Sequence, residues 1–411
     1  MFVRLKHKLL RPRQRWEKNL IVLWFGTFMA GIAFSLVMPF LSLYIDTLGK
    51  FSTSQLNFYS GLTYASTFLV TAIISPFWGR LADRKGRKIM ILRASLGMAF
   101  VIGLMGFVTN VYQLIILRLI QGVFSGYISN ANALVATETP KDQSGKALGI
   151  LTTGSVSGTL FGPFVGGVIA AIFGYRITFL ITGIILILVF LLSAFFVHET
   201  YTPLNTEDVK NSREIFRELK NTKLVIGMLV ATFLIQLGNF SISPIISLYV
   251  REIMHNNGPI TIASGIVASI PGIATLLAAP RLGTMGDKIG TERILKLGML
   301  FAIAIFIPMA FVANIWQFGS LRFLIGVSNA AMLPAVQTLL AKNTPASATG
   351  RIFSYNQSFQ ALGSVAGPLI GSSISGVWDY NGVFISTAFI LFLGFFWVSF
   401  ATKNTLQLRN K

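Results

Sequence analysis

Residues 79–88 read GRLADRKGRK, and residues 283–293 read GTMGDKIGTER. Gly79, Asp83 and Gly86 of the first stretch recur 204 residues later as Gly283, Asp287 and Gly290, and Pro76 just upstream recurs as Pro280. The same offset carries Arg118 and Gly122 onto Arg322 and Gly326. At an offset of 205, Pro39 and Tyr44 recur as Pro244 and Tyr249. So do Pro140, Gly145, Gly158, Gly162, Pro163 and Gly166, as Pro345, Gly350, Gly363, Gly367, Pro368 and Gly371. One register held over so many rare residue types marks an internal duplication. The polar stretch HETYTPLNTEDVKNSREIFRELKNT at 198–222 separates the two copies.

Composition places both copies in a bilayer. Of 411 residues, 53% are hydrophobic and 12% charged. A soluble domain carries roughly 25% charged residues, about twice that share. Apolar runs near 20 residues match the length a helix needs to cross the hydrocarbon. The runs fall at about 20–45, 56–79, 89–109, 111–134, 147–172, 177–197, 223–250, 260–282, 293–313, 316–340, 349–375 and 382–401. The short alternating segments of a membrane β-barrel are missing. The reading is an all-α membrane protein of about twelve transmembrane helices in two six-helix bundles. Its parts are a basic N-terminus (1–18), a bundle (19–197), a linker (198–222) with a short amphipathic helix near 211–220, a second bundle (223–402) and a tail (403–411). Parallel six-span repeats put a substrate site at their interface, near the bilayer midplane.

The net charge of +20 first suggests nucleic acid, but its distribution argues otherwise. Twelve spans put both termini on one side. That side holds 29 of the 34 Lys and Arg, and the other only Lys50, Arg176 and Arg251. Such a bias predicts cytoplasmic termini in a plasma-membrane protein and no nucleic-acid partner. Cysteine is absent and the three histidines, His7, His198 and His255, are scattered. Neither a metal site nor a catalytic cluster is expected, nor a cofactor, so the chain does not read as an enzyme.

Polar residues inside the spans are the candidate substrate contacts. Span four carries Arg118, Gln121, Gly122, Ser125, Gly126, Ser129 and Asn132 at spacings of three and four, hence on one stripe. Gln236, Asn239, Ser243 and Ser247 repeat the pattern in span seven, and Asn356, Gln357, Gln360 and Ser364 in span eleven. Such stripes serve either a polar cavity or interhelical packing. Arg118 stands apart, because a guanidinium at membrane depth costs roughly 2.5–3.5 kcal/mol on the insertion scale. Tyr64, Phe124, Tyr127 and Phe240 are aromatic candidates for the same cavity, with lipid-facing packing the alternative for each.

Two motifs concern movement. Gly79, Asp83, Arg84 and Arg87 lie in a loop that permits a tight turn and carboxylate–guanidinium pairing. In GILTTGSVSGTLFGPFVGG, residues 149–167, the small residues Gly149, Gly158, Gly162, Gly166 and Gly167 allow close helix packing, and Pro163 weakens the helix. Together with Arg118-x-x-Gln121-Gly122, these motifs resemble the major facilitator superfamily. The loop is similar to that superfamily's signature, and the glycine spacing of span five resembles the antiporter motif of its twelve-span drug:proton antiporters. The wording of 24–45 and 130–149 is similar to the PmrA-like multidrug exporters of Gram-positive bacteria.

The resemblance implies an alternating-access exporter of small amphipathic drugs, driven by protons and read as a monomer. It implies that Asp83 latches the halves against span eleven and that Arg87 pairs with Glu138. Asp287 belongs to the degraded copy, where Thr291 and Asn343 replace Arg87 and Glu138. None of the fourteen acids lies mid-span, which departs from relatives that use a midplane carboxylate. The candidate proton carriers are therefore off-centre, namely Asp46, Asp142 and Glu138. The competing function is a facilitator or exporter of one metabolite or lipid without proton coupling.

Overall fold

The computed structural model describes residues 14–140, 143–200, 221–344 and 349–403, with the backbone alone at Asp83, Gly145, Asp287 and 349–351. The expected amphipathic helix near 211–220 and Asp142 lie outside the described residues.

Span one is Arg15–Asp46, in which a helix Arg15–Leu36 gives way to a single 3-10 turn at Pro39 and a short helix Leu41–Asp46. Span two is Thr53–Lys85, three Arg87–Met105, four Val111–Glu138, five Ser144–Phe173 and six Tyr175–Phe196. Span seven, Thr222–Ser241, is continued beyond Pro244 by a short helix Ile246–Ile253. Span eight is Ile260–Ile289, nine Thr291–Met309 and ten Ile315–Asn343. Thr349–Ala401 contains spans eleven and twelve, divided at Trp378 and Asp379 where the backbone leaves helical geometry. Twelve crossings in two groups of six therefore follow the expected order. Side chains such as Phe195, Phe311 and Trp316 are exposed, as lipid-facing groups should be.

Two differences from the sequence reading bear on the site. Span two was expected to end at 79 and continues to Lys85, so most of the signature loop is helix. The turn shrinks to Gly86, whose φ of 94° suits glycine and lets Arg87 begin the next helix at once. Span four was expected as one run over 111–134. It is two helices, Val111–Val123 and Tyr127–Glu138.

The duplication is visible bond by bond. The Thr71 hydroxyl donates to the Gly122 carbonyl at 3.3 Å, and Thr275 donates to Gly326 at 2.8 Å. Arg118 Nε donates to the Thr63 carbonyl and Arg322 Nε to that of Val267. Tyr44 bonds the Met105 carbonyl, and Tyr249 that of Met309. Each contact is repeated at an offset of 204 or 205, which a chance likeness of sequence would not produce.

The halves meet along two seams, span two with eleven and span five with eight. Contacts concentrate on the face opposite the termini. Ser42 donates to the Pro244 carbonyl at 2.6 Å, Tyr380 reaches Asn57 at 3.5 Å, and Phe68 packs edge-on to Phe240 with ring centroids 5.1 Å apart. Among the described residues, these contacts between the halves thus gather toward the face opposite the termini.

Candidate substrate site and gate

The glycines of span five are places where two helix backbones touch. A Cβ on Gly158 would overlap the Phe28 carbonyl oxygen of span one, and one on Gly166 the Leu36 carbonyl oxygen. Gly162 sits against Ser35 and the Ile32 carbonyl. Gly167 faces the other half, where a Cβ would stand 2.6 Å from the Thr261 oxygen. The motif therefore ties span five both to span one and, across the seam, to span eight. Gly149 at its start touches neither. The second copy repeats the first set of contacts between spans eleven and seven, with Gly363 against Phe233 and Gly367 against Leu237.

Arg118 is buried between spans two and four, 3% exposed. Its Nε bonds the Thr63 carbonyl and its Nη1 donates to Gln121 Oε1 at 2.8 Å, while Nη2 is buried without a partner. Tyr64 donates to the Met38 carbonyl. A guanidinium with one unused donor keeps its appetite for an anionic acceptor. The rest of the expected stripe does not stay together. Gly122 packs on the Thr67 backbone of span two, and the Phe124 ring fills the notch left by Gly97 of span three. Ser125, inside the helix break, is half-buried, and Ser129, beyond it, is exposed. In the second half Gln236 is buried against Gly363, and Asn356 accepts from the Thr232 hydroxyl at 2.6 Å. Asn239 and Gln360 are half-buried and Gln357 is exposed. A mostly apolar cavity of about 490 Å³ between spans five and eight is lined by Leu160, Phe161, Phe164, Ile270, Ile273 and Leu277 among others.

At the face carrying the termini, Glu199 has a role that the sequence reading missed. Its two oxygens accept the backbone N–H groups of Arg87 and Lys88 at 2.7 and 2.8 Å, capping span three. Glu138, at the foot of span four, accepts the Thr200 amide hydrogen at 2.6 Å. Arg84 is exposed. A carboxylate two residues past the last apolar run of a bundle gives no local signal that it returns to a helix start more than a hundred residues earlier.

At the face opposite the termini, Asp46 and Arg251 form an ion pair at 2.5 Å across the two halves, with side chains 33% and 30% exposed. These residues are 205 apart, so they occupy equivalent positions of the repeat with opposite charge. Glu252 lies next to Arg251 beyond span seven, where burial and the nearby Asp379 raise its carboxyl above the usual range. In the adjacent seam Asn57 Nδ2, Ser60 Oγ and Ser372 Oγ are buried without partners.

A profile described as Major Facilitator Superfamily matches residues 23–263 and 228–410, nearly the whole chain. The chain belongs to the major facilitator superfamily. Its superfamily relatives include multidrug resistance protein MdtG of Enterobacter lignolyticus, 49% identical over 390 residues, 95% of this chain and 93% of that one. MdtG of Salmonella heidelberg is 51% identical over 373 residues, 91% and 92% of the two chains. Among solved structures, a bacterial homologue of the human lysosomal transporter Spinster, inward-facing and unoccupied, aligns with a TM-score of 0.77. It covers 96% of this chain and 98% of that one at 14% identity, which speaks to fold alone.

Proposed function

We propose that this transporter exports small amphipathic drugs by alternating access. The observation that carries the reading is identity of about half the residues, over more than nine-tenths of both chains, with multidrug resistance proteins. The narrower likeness to PmrA-like exporters rests on the wording of 24–45 and 130–149. The basic bias supports a plasma-membrane protein with the terminal face in the cytoplasm. The conformation is then inward-facing. Reporter fusions at Asn256 are expected to report the outer side, and a cytoplasmic signal there would overturn this orientation.

Two buried arginines and the absence of a mid-span acid favour anionic, zwitterionic or neutral cargo, since an unneutralised cation in low dielectric repels dications. Export from cells or inverted vesicles is expected for rhodamine B (zwitterionic) and Nile red (neutral), and not for the dication methyl viologen. Arg118→Ala should narrow that discrimination. Preferential export of methyl viologen, unchanged in Arg118→Ala, sinks the electrostatic argument, while a wild type that moves none of the three sinks drug efflux itself.

Coupling to protons is assigned first to Asp46, because a proton on that carboxylate cancels its attraction to Arg251 and frees the outer seam. Glu138 and Asp142 are the next candidates. Asp46→Asn is expected to flatten the pH dependence of export. The latch assigned to Asp83 predicts that Asp83→Asn impairs transport at normal insertion while Asp287→Asn does less. Equal transport by wild type and Asp83→Asn at equal expression refutes it. The unit that works is taken to be the monomer.

A further inference from the structure

Span four is interrupted in the first half only. The helix stops at Val123 and restarts at Tyr127, with Gly126 at a φ of 109° between them. Backbone groups freed inside a membrane must find partners within the protein. Two residues from neighbouring spans supply them. Trp78 Nε1 donates to the Val123 carbonyl at 2.8 Å. Arg93 donates to the same carbonyl through Nη1 at 3.2 Å and to the Ser125 carbonyl through Nη2 at 2.7 Å. The Arg93 guanidinium also lies 3.7 Å from the centroid of the Trp78 ring. Phe124, inside the break, plugs the space that Gly97 leaves in span three.

None of these five residues has a like counterpart in the second half. At the offset of 204, Trp78, Arg93, Gly97, Phe124 and Gly126 become Leu282, Leu297, Phe301, Ser328 and Ala330. Span ten is correspondingly continuous from Ile315 to Asn343. The break is therefore a built feature of one bundle.

The two pieces of span four are fastened to different neighbours. The first piece is bonded to span two, through Arg118 with Thr63, Thr67 with the Arg118 carbonyl, and Thr71 with that of Gly122. The second is bonded to span six and to the start of the linker. There Tyr127 and Ser193 hydroxyls meet at 2.9 Å, and Glu138 holds the Thr200 amide. Tyr127 also fills the space over Gly26 of span one. A joint between two differently anchored pieces lets them move with different partners, and residues at helix ends are where such angular change is absorbed.

We propose that the break is a hinge through which the first bundle flexes during transport while the second moves as a stiffer body, and that Arg93 is its positioning residue. This deepens the alternating-access reading and rests on it for the transport arm of the test. A guanidinium reaches both carbonyls at once; an ammonium is a single point donor, so Arg93→Lys does not substitute.

The chain has no cysteine, so spin-label pairs can be introduced directly. Exposed positions Ile116 and Thr137 bracket the hinge, and their counterparts Ser320 and Ala341 bracket the continuous span ten. Interlabel distances are measured in reconstituted full-length protein, with and without rhodamine B and at pH 5.5 and 8. The Ile116→Cys/Thr137→Cys pair is expected to shift or broaden between conditions, and the Ser320→Cys/Ala341→Cys pair to stay fixed. Arg93→Ala and Arg93→Lys are expected to lower the maximal rate of rhodamine B export by about tenfold, with KM within about twofold, because the lesion is in a conformational step. A span-four pair as narrow and invariant as the span-ten pair overturns the hinge, as does wild-type export by Arg93→Ala. Absence of dye export in the wild type, with the span-four pair still moving with pH, overturns the efflux reading and leaves the hinge standing.

Discussion

Gly158→Leu is expected to reduce export by about tenfold or more per inserted molecule, whereas Gly149→Leu stays within about twofold of wild type, because only the first adds bulk to a packed contact. The two glycines belong to one motif and differ in surroundings. The missing Cβ of Gly158 faces the Phe28 oxygen and, at 3.0 Å, the Ile32 nitrogen of span one; Gly149 faces open space. A backbone carbonyl cannot rotate out of the way as a side chain can, so span one must retreat along its length. Overpacking typically costs about 1–3 kcal/mol, and 1.4 kcal/mol already corresponds to a factor of ten. Gly162→Leu and Gly166→Leu should resemble Gly158→Leu, given their contacts with Ser35 and Leu36. The check is dye export normalised to folded protein by fluorescence-detected size exclusion, with Gly158→Ala included in case the leucine variant does not insert. Equal export by the Gly149 and Gly158 variants would make the close approach irrelevant to turnover.

Asp46→Arg is the second large effect. It sets two guanidinium groups opposite each other at the outer seam, where the native pair stands at 2.5 Å. A well-exposed pair contributes only about 0.2–1 kcal/mol. Here both partners are about two-thirds buried, and the substitution replaces attraction by repulsion, so the closed outer face is expected to lose about tenfold or more in population. In the cysteine-free chain an Asn57→Cys reporter, buried against Tyr380 of the opposite half, reads that opening. Labelling by an impermeant maleimide from outside should accelerate in Asp46→Arg, and export should fall. The exchange variant Asp46→Arg/Arg251→Asp restores the pair in reverse and should recover both. High ionic strength should weaken the native pair in the same direction. An exchange variant no better than either single change would mean that the pair does not gate this face.

The sequence by itself determined the bilayer as solvent, the count of twelve spans and the duplication. Apolar run length and composition are local properties, and an offset of 204 or 205 between glycines and prolines needs no knowledge of contacts. It also selected the glycines of span five, since small residues at helical spacing have few uses in lipid other than close approach. Which glycines touch, and what they touch, only the tertiary structure decided: Gly149 and Gly158 look alike in the sequence and differ wholly in space. The polar stripe of span four failed as a single face because helical periodicity assumes an unbroken helix. The break at Gly126 depends on Trp78 and Arg93, residues of other spans that read in the sequence as part of a helix end and of a basic loop. Likewise Asp46 and Arg251 were legible as outer-end charges, while their pairing required the two halves to be docked. Spans form from short-range hydrogen bonds and burial in lipid, which the sequence encodes residue by residue; gates and hinges arise where distant backbones and charges meet, which only the packed molecule fixes.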